Sequence, residues 1–200
     1  MKEYCVIRKK ADLNWEEIPF LEVSEQPWFV IPNIKMSSQL MWDKDNLYVH
    51  QVALESQIRS TFTTHLSHVC EDSCMEFFIS PQPEDERYFN FEVNPYGALM
   101  LGFGRGRNDR IRLLPKDPTN YFNIKTNESL GKWEVFYQIP VTFFEVFFPN
   151  LKFEKGLNLR ANFYKCGDKT EKPHYLTWNK VTSSKPDFHR PVDFGLISFS

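Results

Sequence analysis

The chain has 200 residues, 42% of them hydrophobic and 19 of them phenylalanine, which is material for the core of one domain rather than two. A net charge of −2 supplies no basic face, so no nucleic-acid partner is expected. No apolar run is of membrane-spanning length: the richest, 141–148, carries Glu145 and is closed by Pro149.

In chain order, the main signal is period-two alternation. The β-rich run 47–54 follows a turn at 42–46. Segment 73–79 sets Met75, Phe77 and Ile79 on one face and Cys74, Glu76 and Phe78 on the other. In 88–94, Phe89, Phe91 and Val93 point inward while Asn90 and Glu92 point outward. The glycine-rich stretch 102–107 lacks the Lys-Ser/Thr of a phosphate loop and reads as a hairpin loop with cationic tips. Segment 133–139 ends at Pro140, as a strand can. Segment 157–164 sorts Leu157, Leu159, Ala161 and Phe163 from Asn158, Arg160, Asn162 and Tyr164. Short helices are expected at 141–148 and near 55–61. Turn-rich stretches at 81–86, 94–97, 115–120 and 167–172 separate the runs. The pattern predicts an all-β fold: a two-sheet antiparallel sandwich, jelly-roll-like, with one or two short helices, as a single domain over 1–200.

The first ten residues contain no apolar stretch of signal-peptide length, so the chain is read as cytoplasmic and free of the membrane. The cysteines Cys5, Cys70, Cys74 and Cys166 are accordingly read as free thiols, since the cytosol keeps thiols reduced.

Five segments, in this order, resemble the family 9 carbohydrate-binding modules and their bacterial relatives. They are Gln39-Leu40-Met41-Trp42-Asp43 through Val49, Asp72-Ser73-Cys74-Met75-Glu76 through Ile79, the strand and turn from Tyr88 to Gly97, Trp133 to Pro140 with its Ile-Pro ending, and Pro191-Val192-Asp193-Phe194-Gly195 through Phe199. The likeness runs from Ser38 to the C-terminus. It implies a β-sandwich that binds chain ends of glucans and xylans or small saccharides, is non-catalytic, and is usually attached to a glycoside hydrolase. It also implies calcium, although no loop here gathers enough carboxylates to name a site. In the modules that grip a sugar, two Trp rings sandwich the pyranose while a strand Glu and an Arg of the next strand hold its hydroxyls. Glu76 matches that glutamate. The first clamp position falls at 68–70, where there is no aromatic residue, the second is Phe188, and the Arg position holds Glu92.

Glu76, Asn90, Glu92, Arg160, Asn162 and Tyr164 occupy outward positions on strands whose other faces are apolar. In the resembled architecture these strands are neighbours, so the six would cover one sheet face suited to a polyol. A second reading stays open, in which they form a self-satisfied network with Glu92 paired to Arg160. Trp178, Phe188 and His189 would add rings and a donor from the C-terminal loop, Trp178 either as a stacking platform or as a cap on the core. His65, His68, Cys70 and Cys74 could close a tetrahedron, but their spacing matches no standard zinc pattern, and no metal or other cofactor is expected.

Catalytic signatures for metalloproteases, serine hydrolases and nucleotide enzymes are absent from the sequence. The one reaction it could host is glycoside hydrolysis by Glu76 and Glu92, and a neighbouring Arg160 would keep both ionised. The reading favoured is non-catalytic binding of a small saccharide or saccharide end on the polar face. The alternatives are that glycosidase, and a protein-interaction domain whose polar face is only structural. Nothing in the sequence names a protein partner.

Overall fold

The computed structural model describes residues 1–10 and 14–200, and in it the alternating segments pair as strands. The chain begins with β1 (Glu3–Arg8), β2 (Leu21–Val23), β3 (Lys35–Trp42), β4 (Asn46–Leu54), β5 (Cys74–Ser80), β6 (Tyr88–Val93), β7 (Leu99–Gly106) and β8 (Asp109–Arg112). It continues with α1 (Pro118–Tyr121), β9 (Lys125–Ser129), β10 (Lys132–Pro140), α2 (Val141–Glu145), β11 (Asn158–Cys166), β12 (Tyr175–Thr177) and β13 (Gly195–Phe199). One sheet has the order β8-β7-β6-β5-β11-β13-β1, with β12 beside β11. The other has the order β1-β3-β4-β10-β9, with β2 beside β3. Strand β1 belongs to both: residues 3–6 pair in parallel with β13, and Ile7 and Arg8 pair in parallel with β3. It therefore turns the corner of the sandwich. No described helix is long and apolar enough to cross a membrane.

The inward set expected from alternation, Phe77, Phe91, Val93, Val135, Leu159 and Phe163, is buried between the sheets. Phe77 stacks on Phe163 across β5 and β11 at 4.6 Å, and Phe91 stacks on Tyr137 of the facing sheet at 6.1 Å. One end of the sandwich is plugged by α2 and the turn after it. Phe143, Phe144, Phe147 and Phe148 converge there on Phe89 of β6. The helix expected at 141–148 is thus realised over 141–145. The helix expected near 55–61 does not form, because the backbone there has other partners: the amide of Arg59 donates to Ser73 Oγ, and those of Thr61 and Phe62 donate to Asp72 Oδ2. The glycine-rich stretch is the β7–β8 hairpin. A Cβ on Gly104 would lie 2.0 Å from the Asp109 carbonyl, so only glycine permits this approach of the two strands.

The other end of the sandwich is closed by a buried polar network. Lys165 is fully buried, its Nζ 3.1 Å from Glu55 Oε1. It also donates to the Cys166 carbonyl at 3.0 Å and to His174 Nε2 at 2.8 Å. Trp133 Nε1 and Ser73 Oγ donate to the two oxygens of Glu55, at 2.6 and 2.9 Å. Burial first, and then the Lys165 charge, push His174 down to about 4, so the ring is neutral and accepts the lysine proton at Nε2.

The outer face of the first sheet is not left to solvent. Connections 62–72 and 181–194 fold over it, and Val69, Val181, Phe188 and Phe194 form a second apolar cluster with Cys74, Phe78, Tyr88, Tyr164 and Cys166. Every residue of β5 and β6 is consequently buried, on both faces. The alternation sorted these residues correctly between faces, but their outward face is an interior of its own.

Candidate functional site

A cavity of about 140 Å³ opens in this outer layer. Its floor comes from register. Glu76 of β5 stands directly opposite Glu92 of β6, and Cys166 of β11 stands opposite Cys74. Like charges placed opposite each other across strands repel. Burial, reinforced by Glu92, raises the Glu76 carboxyl well above the usual carboxylate range. Glu92 is raised by burial too, but it has partners: Asn90 Nδ2 donates to its Oε1 at 2.8 Å, and Arg110 Nη1 lies 3.5 Å away. Of the two, Glu76 is the one pushed further toward its neutral form, because among the described residues its one side-chain partner is the Cys166 thiol.

The walls come from loops. The β7–β8 hairpin delivers Arg107 and Arg110, and loop 186–189 meets it, with Arg107 Nη2 donating to Asp187 Oδ1 at 3.1 Å. Asp168 and Tyr175 also line the cavity, Tyr175 meeting Phe188 edge-on at 6.0 Å, and burial raises the Asp168 carboxyl. Phe188 forms the aromatic wall, held from beneath by Tyr164, whose ring stacks on it at 4.1 Å and whose hydroxyl donates to the Phe188 carbonyl at 3.1 Å. Trp28 packs against both Phe188 and Tyr175 from outside.

His189 hydrogen-bonds Tyr88 Oη through Nδ1 at 2.8 Å and accepts from Arg110 Nη1 at Nε2, 3.1 Å away. A guanidinium only donates, so Nε2 carries no proton and the ring is neutral. Burial, then Arg110 and Arg107, push its pKa down to about 2. Because the folded value lies below the unfolded one, His189 contributes stability that is fully present above about pH 6.5 and is lost as pH falls. The stability of the wild-type protein relative to His189→Gln should then decline on acidification from pH 6.5. The slope would be at most about 1.4 kcal/mol per pH unit, that of one proton bound only by the unfolded chain. Urea unfolding of both proteins at pH 7 and pH 5 measures this, and a constant difference would contradict a neutral ring.

Of the residues singled out from sequence, Glu76, Glu92, Phe188 and His189 line the cavity. Asn90 and Tyr164 stand behind it, supporting Glu92 and Phe188. The remaining three do other work. Arg160 is not the partner of Glu92: its Nη2 donates to the carbonyls of Val192 and Phe194, at 3.2 and 3.1 Å, near the far end of β11, and Arg110 takes the expected role. Asn162 is fully buried and pins two loops, donating to the Asn179 carbonyl at 3.0 Å and accepting from the Asn179 amide at 2.8 Å. Trp178 is only 3% exposed, meets Phe163 edge-on at 5.8 Å, and is a core residue, not a stacking platform.

Alternation missed Arg107, Arg110, Asp168 and Tyr175, since each sits on a turn, an edge strand or a connection. The one available signal was the cationic hairpin tip. The structure does not gather His65, His68, Cys70 and Cys74 into one cluster. His65 accepts from the Leu99 amide and bonds Thr119 Oγ1, while Cys74 meets Glu76 and Cys166 instead.

Comparison with known proteins agrees with this architecture. A structure from Bacteroides uniformis ATCC 8492, of a protein to which carbohydrate binding has been assigned, superposes with a TM-score of 0.85 at 26% identity, covering 100% of this chain and 99% of that one. A family 9 carbohydrate-binding module of Caldicellulosiruptor kristjanssonii in complex with glucose superposes at 0.70 with 14% identity, covering 100% and 96%. The same organism's module in complex with cellotriose matches equally well, at 0.70 and 14%, covering 99% and 93%. No curated protein matches the sequence. The model of the carbohydrate-binding family 9 matches residues 5–199, and the chain belongs to that family.

Proposed function

We propose that the cavity over Glu76 and Glu92 receives a small saccharide or a saccharide end, and releases it unchanged. The observation that carries this reading is the company kept in one small space: two carboxyls, the guanidiniums of Arg107 and Arg110, and the aromatic wall of Phe188. Sugar hydroxyls both donate and accept, and such charged partners bond them strongly, while C–H faces of the ring pack on aromatic surface. Glucose and cellotriose in the C. kristjanssonii complexes support the ligand class. Phe188 and Tyr175 meet edge to face at 6.0 Å instead of flanking a ring from both sides as a clamp does, so affinity should be modest. Binding without turnover is supported by placement. Both carboxyls rise from one floor, whereas glycosidase carboxyls flank the scissile bond.

Calorimetric titration of a panel of mono- and oligosaccharides tests the proposal, with a reducing-end assay on the same mixtures. At least one sugar should bind and none should be cleaved. Arg107→Ala removes a half-exposed guanidinium at the mouth and should weaken that sugar about tenfold at unchanged melting temperature, as loss of a charged hydrogen bond does. Arg160→Ala should leave affinity as it was. If no sugar binds the folded protein at millimolar concentration, or if Arg160→Ala abolishes binding while Arg107→Ala spares it, the proposal fails.

A further inference from the structure

We infer that Cys74, Cys166 and Glu76 form a binding site for a thiophilic divalent cation of the zinc class at the base of the outer-layer cavity. The inference rests on side-chain geometry and does not require that a sugar bind above it.

The β5–β11 register puts the two cysteines directly opposite each other, and Glu76, two residues along β5, shares their face. The two sulfurs and a carboxylate oxygen lie within 4.8 Å of one another, with Cys166 Sγ 3.0 Å from Glu76 Oε1. A tetrahedral centre with metal–sulfur bonds of about 2.3 Å has edges just under about 4 Å, so the donors already stand near ligand spacing. All three are buried, on paired strands that hold them rigidly.

Among the described residues, no cationic side chain is paired with Glu76. Glu76 faces Glu92, while Arg110 is engaged with Glu92 and His189, and the Cys166 thiol is the donor Glu76 has. A divalent ion supplies what is lacking. It also has a way in, because Glu76 and Cys166 line the solvent-connected cavity together with Cys70 and Asp168. A water from the cavity would complete four-coordination. Binding displaces the thiol protons to solvent, with no change of oxidation state, and affinity should fall in acid.

Cobalt(II) titrated into the reduced wild-type protein tests this. One equivalent should produce a near-ultraviolet sulfur-to-cobalt charge-transfer band that zinc(II) then abolishes, and zinc(II) alone should raise the melting temperature. Cys74→Ser and Cys166→Ser should each lose the band, Glu76→Gln should weaken cobalt by about tenfold or more, and His65→Ala should change nothing. The wild-type titration needs no variant to fold. The inference is overturned if the folded, fully reduced protein gives no band, if Cys74 and Cys166 are recovered as a disulfide from protein purified under reducing conditions, or if the band survives in Cys166→Ser. Sugar affinity measured on the same samples separates failure here from failure of the saccharide reading.

Discussion

Lys165→Met should destabilise the domain by about 3–5 kcal/mol, the range for breaking a buried ion pair from one side. Lys165 has no exposed surface and holds Glu55 at 3.1 Å. The methionine fills the same volume, so the loss would be electrostatic. Glu55 would keep its bonds from Trp133 and Ser73, but its charge would lose its cation, since burial, the larger cause, still disfavours a charged His174 beside it. The double variant Lys165→Met with Glu55→Gln removes both charges and should recover much of the loss, because replacing a whole buried pair costs far less than halving it. Urea unfolding followed by circular dichroism measures each variant. A loss under about 1 kcal/mol for the single change would mean that water reaches the network.

Phe89→Ala should cost a comparable amount, about 3–5 kcal/mol, for a different reason. Phe89 lies among six other phenylalanines: Phe91, Phe103, Phe143, Phe144, Phe147 and Phe148, with ring centroids between 4.4 and 6.5 Å away. These rings come from β6, β7, α2 and the turn after it, so they cannot collapse together into the space without moving the helix. Phe20→Ala is the matched control. Phe20 is 51% exposed, and its truncation should change stability by no more than about 0.5 kcal/mol. Equal losses at the two positions would contradict the assignment of the core.

The fold was legible because a strand in a sandwich writes its two faces into every second residue. Phe89-Asn90-Phe91-Glu92-Val93 could be read in register before any partner strand was known. What alternation does not carry is the surroundings of the second face. Glu92 and Arg160 both read as outward polar residues, yet one lies under loops and the other at the far end of β11. The site was legible to the same extent. Glu76 and Glu92 sit on strands and were found by pattern, whereas Arg107, Arg110 and Asp168 are placed by a hairpin tip, an edge strand and a connection that have no periodicity. The Cys74–Cys166 meeting was hidden for a related reason: its members lie 92 positions apart in the chain and are joined only by strand register.

Strand β13 lies between β1 and β11, with its last residue, Phe199, beside Val6. The latest strand in chain order is therefore the one that joins the earliest strand to the rest of its sheet. Until residues 195–199 are in place, β1 and β11 both present unpaired edges, which are templates for pairing with other chains. About 190 residues separate the paired segments of β1 and β13, and bringing such distant segments together makes folding slow. The most aggregation-prone interval of folding is thus the one before residues 195–199 pair with β1 and β11.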